Sequence, residues 1–200
     1  MKNNFNIDIF IAKKESYYSK IFTANDVPLL LKQANQFYFK STRLKRKNDK
    51  STINWDNKKT VTEYLFRDKI ARLFLGISVE LFIKAVYLQN GYVINNFKGV
   101  KKNNLEKLEG IKSRDLLPRT QQLSTLIKSL SKVLPQNSYN FDKEIRRGLE
   151  LARIWRNSIV HSPENKHMTR GDDWIVVINS LKIVNNLTFI DRQDLRSYLK

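Results

Sequence analysis

Cysteine is absent from the 200 residues, which excludes disulfide bridges, thiolate nucleophiles and thiolate metal sites. Acidic residues are scarce: 19 Asp and Glu face 37 Lys and Arg, leaving a formal net charge of +18. Histidine occurs only at 161 and 167. Together with Glu164 these two do not fit a zinc spacing on one helix, because Pro163 intervenes, so neither a metal nor another cofactor is expected. There is no Gly-rich phosphate loop and no Gly-x-Ser-x-Gly elbow, which removes nucleotide hydrolysis and esterase chemistry. Long apolar runs are missing as well. The most apolar stretch, residues 73–88, carries Glu80 and Lys84 in its middle and therefore reads as a buried helix rather than a membrane span. The first 14 residues alternate Phe5, Ile7, Ile9 and Ile11 around Asp8, too short and too polar for a signal-peptide core. A cytoplasmic protein without membrane association is the expectation.

What is present is ordinary for a globular chain: 41% hydrophobic and 11% aromatic residues, at a length suited to one core with decorations. The charge excess is not ordinary. A compact domain at +18 repels itself unless it holds counterions, which points to a polyanionic partner such as nucleic acid, an acidic protein or an anionic surface. A Lys- and Asn-rich codon bias is the competing account; it would inflate Lys without requiring so few acids.

Periodicity predicts a succession of helices. Asn25-Asp26-Val27-Pro28 has the form of a helix start, continued by Leu29, Leu30, Phe37 and Leu44. Residues 45–59, KRKNDKSTINWDNKK, are expected to form a solvated basic loop able to touch a polyanion. From 60 to about 90 the apolar positions recur at steps of three and four, giving one long helix or two in line, ended by Gly91. Residues 98–112 read as a basic crossing loop. Thr120 is the expected cap of a helix bearing Leu123, Leu126, Ile127, Leu130 and Val133, closed by Pro135. A further helix covers about 138–161, stopped by Ser162-Pro163, and another starts at Asp172-Asp173 with Trp174, Val177, Ile178, Leu181, Val184 and Leu187. Asp191 is positioned to cap a short final helix. Residues 5–12 could form a short strand, but an edge segment on helices fits as well. The expected architecture is an all-α bundle of about five to six helices over residues 60–200, preceded by an N-terminal extension, residues 1–59, with one helix and a basic loop.

The candidate site lies on the helix of residues 138–161. Phe141, Ile145, Gly148, Ala152, Trp155 and Ile159 form its apolar stripe, and Arg146, Glu150, Arg153, Asn157 and His161 its outer side. Asn157 and His161 are one turn apart and adjacent. Arg156 lies at the edge of the stripe, about 140° around an ideal helix from His161. The two converge if the guanidinium stem reaches round, if the helix is ending at His161, or if a second copy of the helix is paired across a two-fold axis. The residue types suit RNA cleavage without a metal. An imidazole near its ordinary pKa takes a proton from the ribose 2′-hydroxyl or returns one to the leaving 5′-oxygen. An arginine binds the scissile phosphate and stabilises the charge growing on it. Asn157 could orient the imidazole or bond the phosphate. The plainer account is that a histidine in the last turn of a helix interacts favourably with the helix dipole. Glu80 and Lys84, one turn apart, most simply form a partly buried ion pair, with a role beside the active cleft as the alternative. Trp55, Trp155 and Trp174 are expected to be core or loop anchors rather than base-stacking platforms.

Three segments carry a family resemblance. Ser78-Val79-Glu80-Leu81-Phe82-Ile83-Lys84-Ala85 is similar to a Glu-x-x-x-Lys-Ala core helix; Thr120-Gln121-Gln122-Leu123-Ser124-Thr125-Leu126 is similar to a segment that usually reads His-Asp-Leu-x-x-Leu; Leu151-Ala152-Arg153-Ile154-Trp155-Arg156-Asn157-Ser158-Ile159-Val160-His161 matches an Arg-Asn-x-x-x-His signature. The chain thereby resembles the HEPN superfamily over roughly residues 60–190, with the third segment the specific one. Gln121-Gln122 departs from the usual His-Asp pair. The resemblance implies a dimeric, metal-independent endoribonuclease of a toxin or anti-phage defence system. Its catalytic residues would be Arg156 and His161, with Asn157 and Arg153 supporting and Glu80 and Lys84 behind them. The resemblance also implies RNA as partner, an antitoxin or other defence-system protein as a further one, and a non-catalytic binding module as the alternative.

Overall fold

In the computed structural model the described residues are 26–90, 92, 94–97, 116–134, 143–161 and 172–188. They form helices α1 (Val27–Asp49), α2 (Lys58–Gln89), α3 (Leu123–Val133), α4 (Lys143–His161) and α5 (Asp172–Thr188), with short strands β1 (Asn95–Phe97) and β2 (Leu116–Thr120) between α2 and α3. The all-helical bundle expected from periodicity is what forms. A two-stranded antiparallel pair is added, with Asn95 opposite Thr120 and Phe97 opposite Leu116. Residues 5–12, Gly91, the loop 98–112, Pro135, Phe141 and Asp191 lie outside the described residues.

Helix α2 is the axis of the molecule. Its 32 residues run unbroken, so the apolar recurrence from 60 to 90 is one helix rather than two. At about 1.5 Å per residue it is about 48 Å long. Asn57 caps it, accepting hydrogen bonds from the backbone N–H groups of Lys59 and Thr60 at 3.0 and 3.3 Å, so the helix begins two residues earlier than expected. From Ala71 onward α2 is enclosed. Leu75, Val79, Ile83, Ala85 and Val86 are fully buried among Leu126, Ile127 and Leu130 of α3, Ile145, Leu149 and Ala152 of α4, and Val177 and Val184 of α5.

Helix α1 lies antiparallel along α2. Three side chains set that register by donating to carbonyls of the facing helix: Ser41 to Ala71 at 2.6 Å, Ser78 to Ala34 at 2.7 Å, and Asn48 to Tyr64 at 3.1 Å. The bonds step back along α2 as they step forward along α1. Val27, Leu30, Leu31 and Ala34 of α1 join the same core as α2 through α5. Helix α1 also extends through residues 45–49, which the polar composition assigned to a loop. The reason is local. Lys45 pairs with Asp49 one turn away, Asn48 turns inward to Tyr64, and Arg46 and Lys47 sit in the last turn where cations favour the helix dipole. Thr120 is likewise not a cap. It pairs with Asn95 in the strand, and α3 begins after Gln122, whose side chain makes no capping bond.

Two glycines let the helices approach to backbone contact. A Cβ on Gly148 of α4 would lie 2.7 Å from the Val176 carbonyl and 2.8 Å from Ser180 Cβ of α5. A Cβ on Gly76 of α2 would lie 2.6 Å from the Ala152 carbonyl and 2.9 Å from Arg156 Cβ of α4. The second contact is what sets the site described next.

Candidate functional site

The face of α2 turned toward α4 carries Arg72, Gly76 and Glu80 at four-residue spacing, so all three lie on one stripe. Arg72 is held by Asp68 at 2.7 Å and places its guanidinium 5.5 Å from the ring centre of Trp155, which itself stacks on Trp174 of α5 at 5.9 Å. Trp155 is buried and Trp174 partly so, as expected of core anchors. Four residues on, Gly76 lets the backbone of α4 close in at Ala152 and Arg156. Four more on, Glu80 meets Arg156.

Glu80 is shared. One carboxylate oxygen accepts from Lys84 Nζ at 2.6 Å and the other forms an ion pair with Arg156 Nε at 2.5 Å. The side chains of Glu80 and Lys84 are only 10% and 11% exposed, whereas Arg156 is 43% exposed. The carboxylate therefore links the buried Lys84 to a guanidinium on a partly exposed side chain. Asn157 Oδ1 accepts a second bond from Arg156 Nη1 at 3.1 Å. Among the described residues nothing engages Nη2. One anion between two cations leaves the cluster with a net charge of +1, the sign that favours an anionic ligand.

Glu80 and Lys84 form the buried ion pair that was the simpler of their two expectations, and Glu80 contacts Arg156 as well. Arg156 does not turn toward the outer side of α4; it turns into the seam with α2. Asn157 braces the guanidinium. His161 is the last residue of α4, and its side chain lies outside the described residues, as do His167 and Glu164. Arg153 is paired with Glu150 at 2.5 Å one turn back, on a half-exposed stretch beside the cluster. The sequence reading passed over Arg72 and Gly76. The signal for them was their spacing, since Arg72, Gly76, Glu80 and Lys84 continue one i, i+4 row along α2.

Trp55 takes the loop alternative of its expectation rather than the core one. It anchors nothing in the core: it is 68% exposed at the turn between α1 and α2, with its ring edge-on to Tyr64 at 6.3 Å. Among the described residues no group of three His, Asp or Glu is placed to hold a metal ion, and no helix is long and apolar enough to cross a membrane. Comparison with protein families, characterised proteins and solved structures finds no match to this chain.

Proposed function

We propose that the chain is a metal-independent endoribonuclease of the HEPN type, acting as a homodimer in a toxin or anti-phage defence system. The observation that carries this reading is the setting of Arg156. Its guanidinium is fixed through Nε by a carboxylate that is itself fixed by Lys84, and through Nη1 by Asn157, on a side chain that stays 43% exposed five residues before His161. An arginine held in one rotamer loses little further freedom on binding a phosphate, which is the preorganisation that charge stabilisation in a transition state requires.

In the proposed reaction His161 accepts the proton of a ribose 2′-hydroxyl as that oxygen attacks the adjacent phosphorus. Arg156 stabilises the charge on the non-bridging oxygens. The bond from phosphorus to the 5′-oxygen breaks, the leaving oxygen takes a proton from the imidazolium of a second copy's His161, and a 2′,3′-cyclic phosphate remains. An acidic antitoxin that covers the basic face is the partner such an activity calls for.

A second reading has its own observation. Nε of Arg156 is already spent on Glu80, which is how a purely structural arginine would be held, and a non-catalytic nucleic-acid-binding or protein-interaction module would need no more. Substitution separates the two. His161→Ala should abolish appearance of 2′,3′-cyclic phosphate ends on a labelled RNA while leaving dimerisation and RNA affinity within about twofold, and a chelator should not slow the unmodified protein. Full cleavage by His161→Ala would remove the nuclease reading and leave the binding module.

A further inference from the structure

The end of the molecule far from Arg156 carries the feature that folding explains least. Where α1 turns into α2, residues 45–59 hold six Lys and Arg against Asp49 and Asp56. Asp49 is taken by Lys45. Arg46, Lys47, Lys50, Lys58 and Lys59 are exposed, and among the described residues no ion pair engages any of them. Lys58 and Lys59 occupy the first turn of α2, which contains no acidic residue. Cations at the positive end of a helix dipole detract from stability, so their placement is not accounted for by the fold. An anion at this turn would reverse the sign of that interaction.

Beside these charges stands Trp55. Its ring is 68% exposed, yet it is steadied edge-on against Tyr64, and the turn that presents it is fastened by Thr60 Oγ1 donating to the Asn54 carbonyl at 2.9 Å. A flat aromatic face held in water at a turn that also carries five exposed cations outside any ion pair among the described residues matches one kind of partner: a strand offering phosphates to the cations and an unpaired base to the ring. A duplex keeps its bases stacked away from the ring, and an acidic protein partner is an outcome that the test below distinguishes.

We propose that the turn between α1 and α2 is a docking element for single-stranded RNA, with Trp55 the stacking platform and Lys58, Lys59 and their neighbours the phosphate contacts. The choice of RNA over DNA rests on the ribonuclease reading; the need for unpaired bases does not. Lys58 and Glu80 are 22 positions apart on α2, about 33 Å along its axis. One strand therefore has to run about ten nucleotides, at about 3.4 Å each when stacked, to touch the turn and Arg156 together.

The test uses the full-length chain carrying His161→Ala, so that the probe survives, and fluorescence anisotropy of a labelled, unstructured 16-nucleotide RNA across a salt series. Trp55→Leu should weaken binding by roughly 5- to 150-fold, the range for one base lost from one aromatic, while Trp55→Phe retains most of the affinity. Lys58→Ala with Lys59→Ala should weaken binding and flatten the log–log salt slope by about 1.4, at about 0.7 per lost phosphate contact on a single strand. A duplex of the same sequence should bind with no dependence on Trp55. Equal affinity of Trp55→Leu and the parent, loss in Trp55→Phe as great as in Trp55→Leu, or tighter binding of the matching DNA overturns the proposal, and full competition by polyglutamate at equal charge assigns the turn to an acidic protein instead. The two readings fail separately. Trp55-dependent binding without cleavage by the unmodified chain would remove the nuclease and keep the docking element, and cleavage with Trp55-independent binding would do the reverse.

Discussion

Replacing Gly76 with alanine sets two effects of opposite sign against each other at the contact that creates the site. Alanine is favoured over glycine within a helix by about 1 kcal/mol, so in a helix packed loosely at this point the substitution would stabilise. Here the new Cβ meets the Ala152 carbonyl at 2.6 Å and Arg156 Cβ at 2.9 Å, against about 3.4 Å for ordinary contact. Backbone atoms of α4 cannot rotate aside, so α2 and α4 must part by several tenths of an ångström over a well-packed stretch, an overpacking that costs about 1–3 kcal/mol. The net expectation is a loss of up to about 2 kcal/mol, or up to roughly 8 °C in Tm for a chain of this size. The same separation lengthens the 2.5 Å contact of Arg156 with Glu80, so cleavage measured well below the melting range should fall further than the folded fraction does. Differential scanning fluorimetry beside a cleavage assay reads both quantities. A rise in Tm with unchanged cleavage would refute the close-approach argument, because it would mean that helix propensity alone decides at this position.

Two further outcomes follow from polar groups buried further along α2. Glu80→Gln leaves Lys84 charged without a counter-ion at an almost enclosed position, which should cost about 3 kcal/mol in denaturant unfolding, whereas Glu80→Leu with Lys84→Met should return to within about 1 kcal/mol of the parent while still releasing Arg156; an unfolding midpoint unmoved by Glu80→Gln would show the pair to be energetically idle. Tyr87 donates its hydroxyl to the Leu126 carbonyl at 2.6 Å, and burial, with a smaller push from Tyr92 and a counteracting bond from Ser129, raises its pKa above the ordinary 10.0. Since the folded state favours the neutral phenol, this contribution to stability is complete below pH 10 and declines as pH climbs toward the folded value; Tyr87→Phe should cost about 1 kcal/mol at neutral pH and flatten the alkaline decline, and a decline of unchanged steepness in that variant would contradict the assignment.

How far the sequence foretold this molecule depends on which interaction decided each element. Helices governed by apolar recurrence were legible: the stripe of Leu123, Leu126, Ile127 and Leu130 and that of Val177, Leu181 and Val184 are buried as their spacing requires, whereas in α2 the recurrence marked the helix but not its buried face, since Val86 and Leu88 are buried while Leu65 is 40% exposed. Elements decided by polar contacts at a distance were not. The extension of α1 to Asp49 depends on Asn48 reaching a carbonyl 16 residues away, and the strand role of Thr120 depends on a partner at Asn95. Neither leaves a periodic trace. At the candidate site the residues Arg156, Asn157, Glu80 and Lys84 were identifiable by type and spacing, but their arrangement was not, because a single-helix projection places Arg156 by its own axis alone. Its direction is set by a glycine on another helix, where the informative feature is a missing side chain. Trp55 stayed open between core and loop for a related reason: composition counts an indole as apolar area, and only the neighbouring Tyr64 reveals that it is braced at the turn.

The ladder that Ser41, Asn48 and Ser78 build between α1 and α2 permits one setting of the two rods and no neighbouring one. A slide of one residue, about 1.5 Å, would unseat all three rungs together and rotate the buried edge of α1 by about 100°. The pair thus behaves as a keyed joint. A residue added to the connecting turn would leave the key engaged, whereas the same residue added inside α1 between Ala34 and Ser41 would force a choice between the upper rung and the lower two.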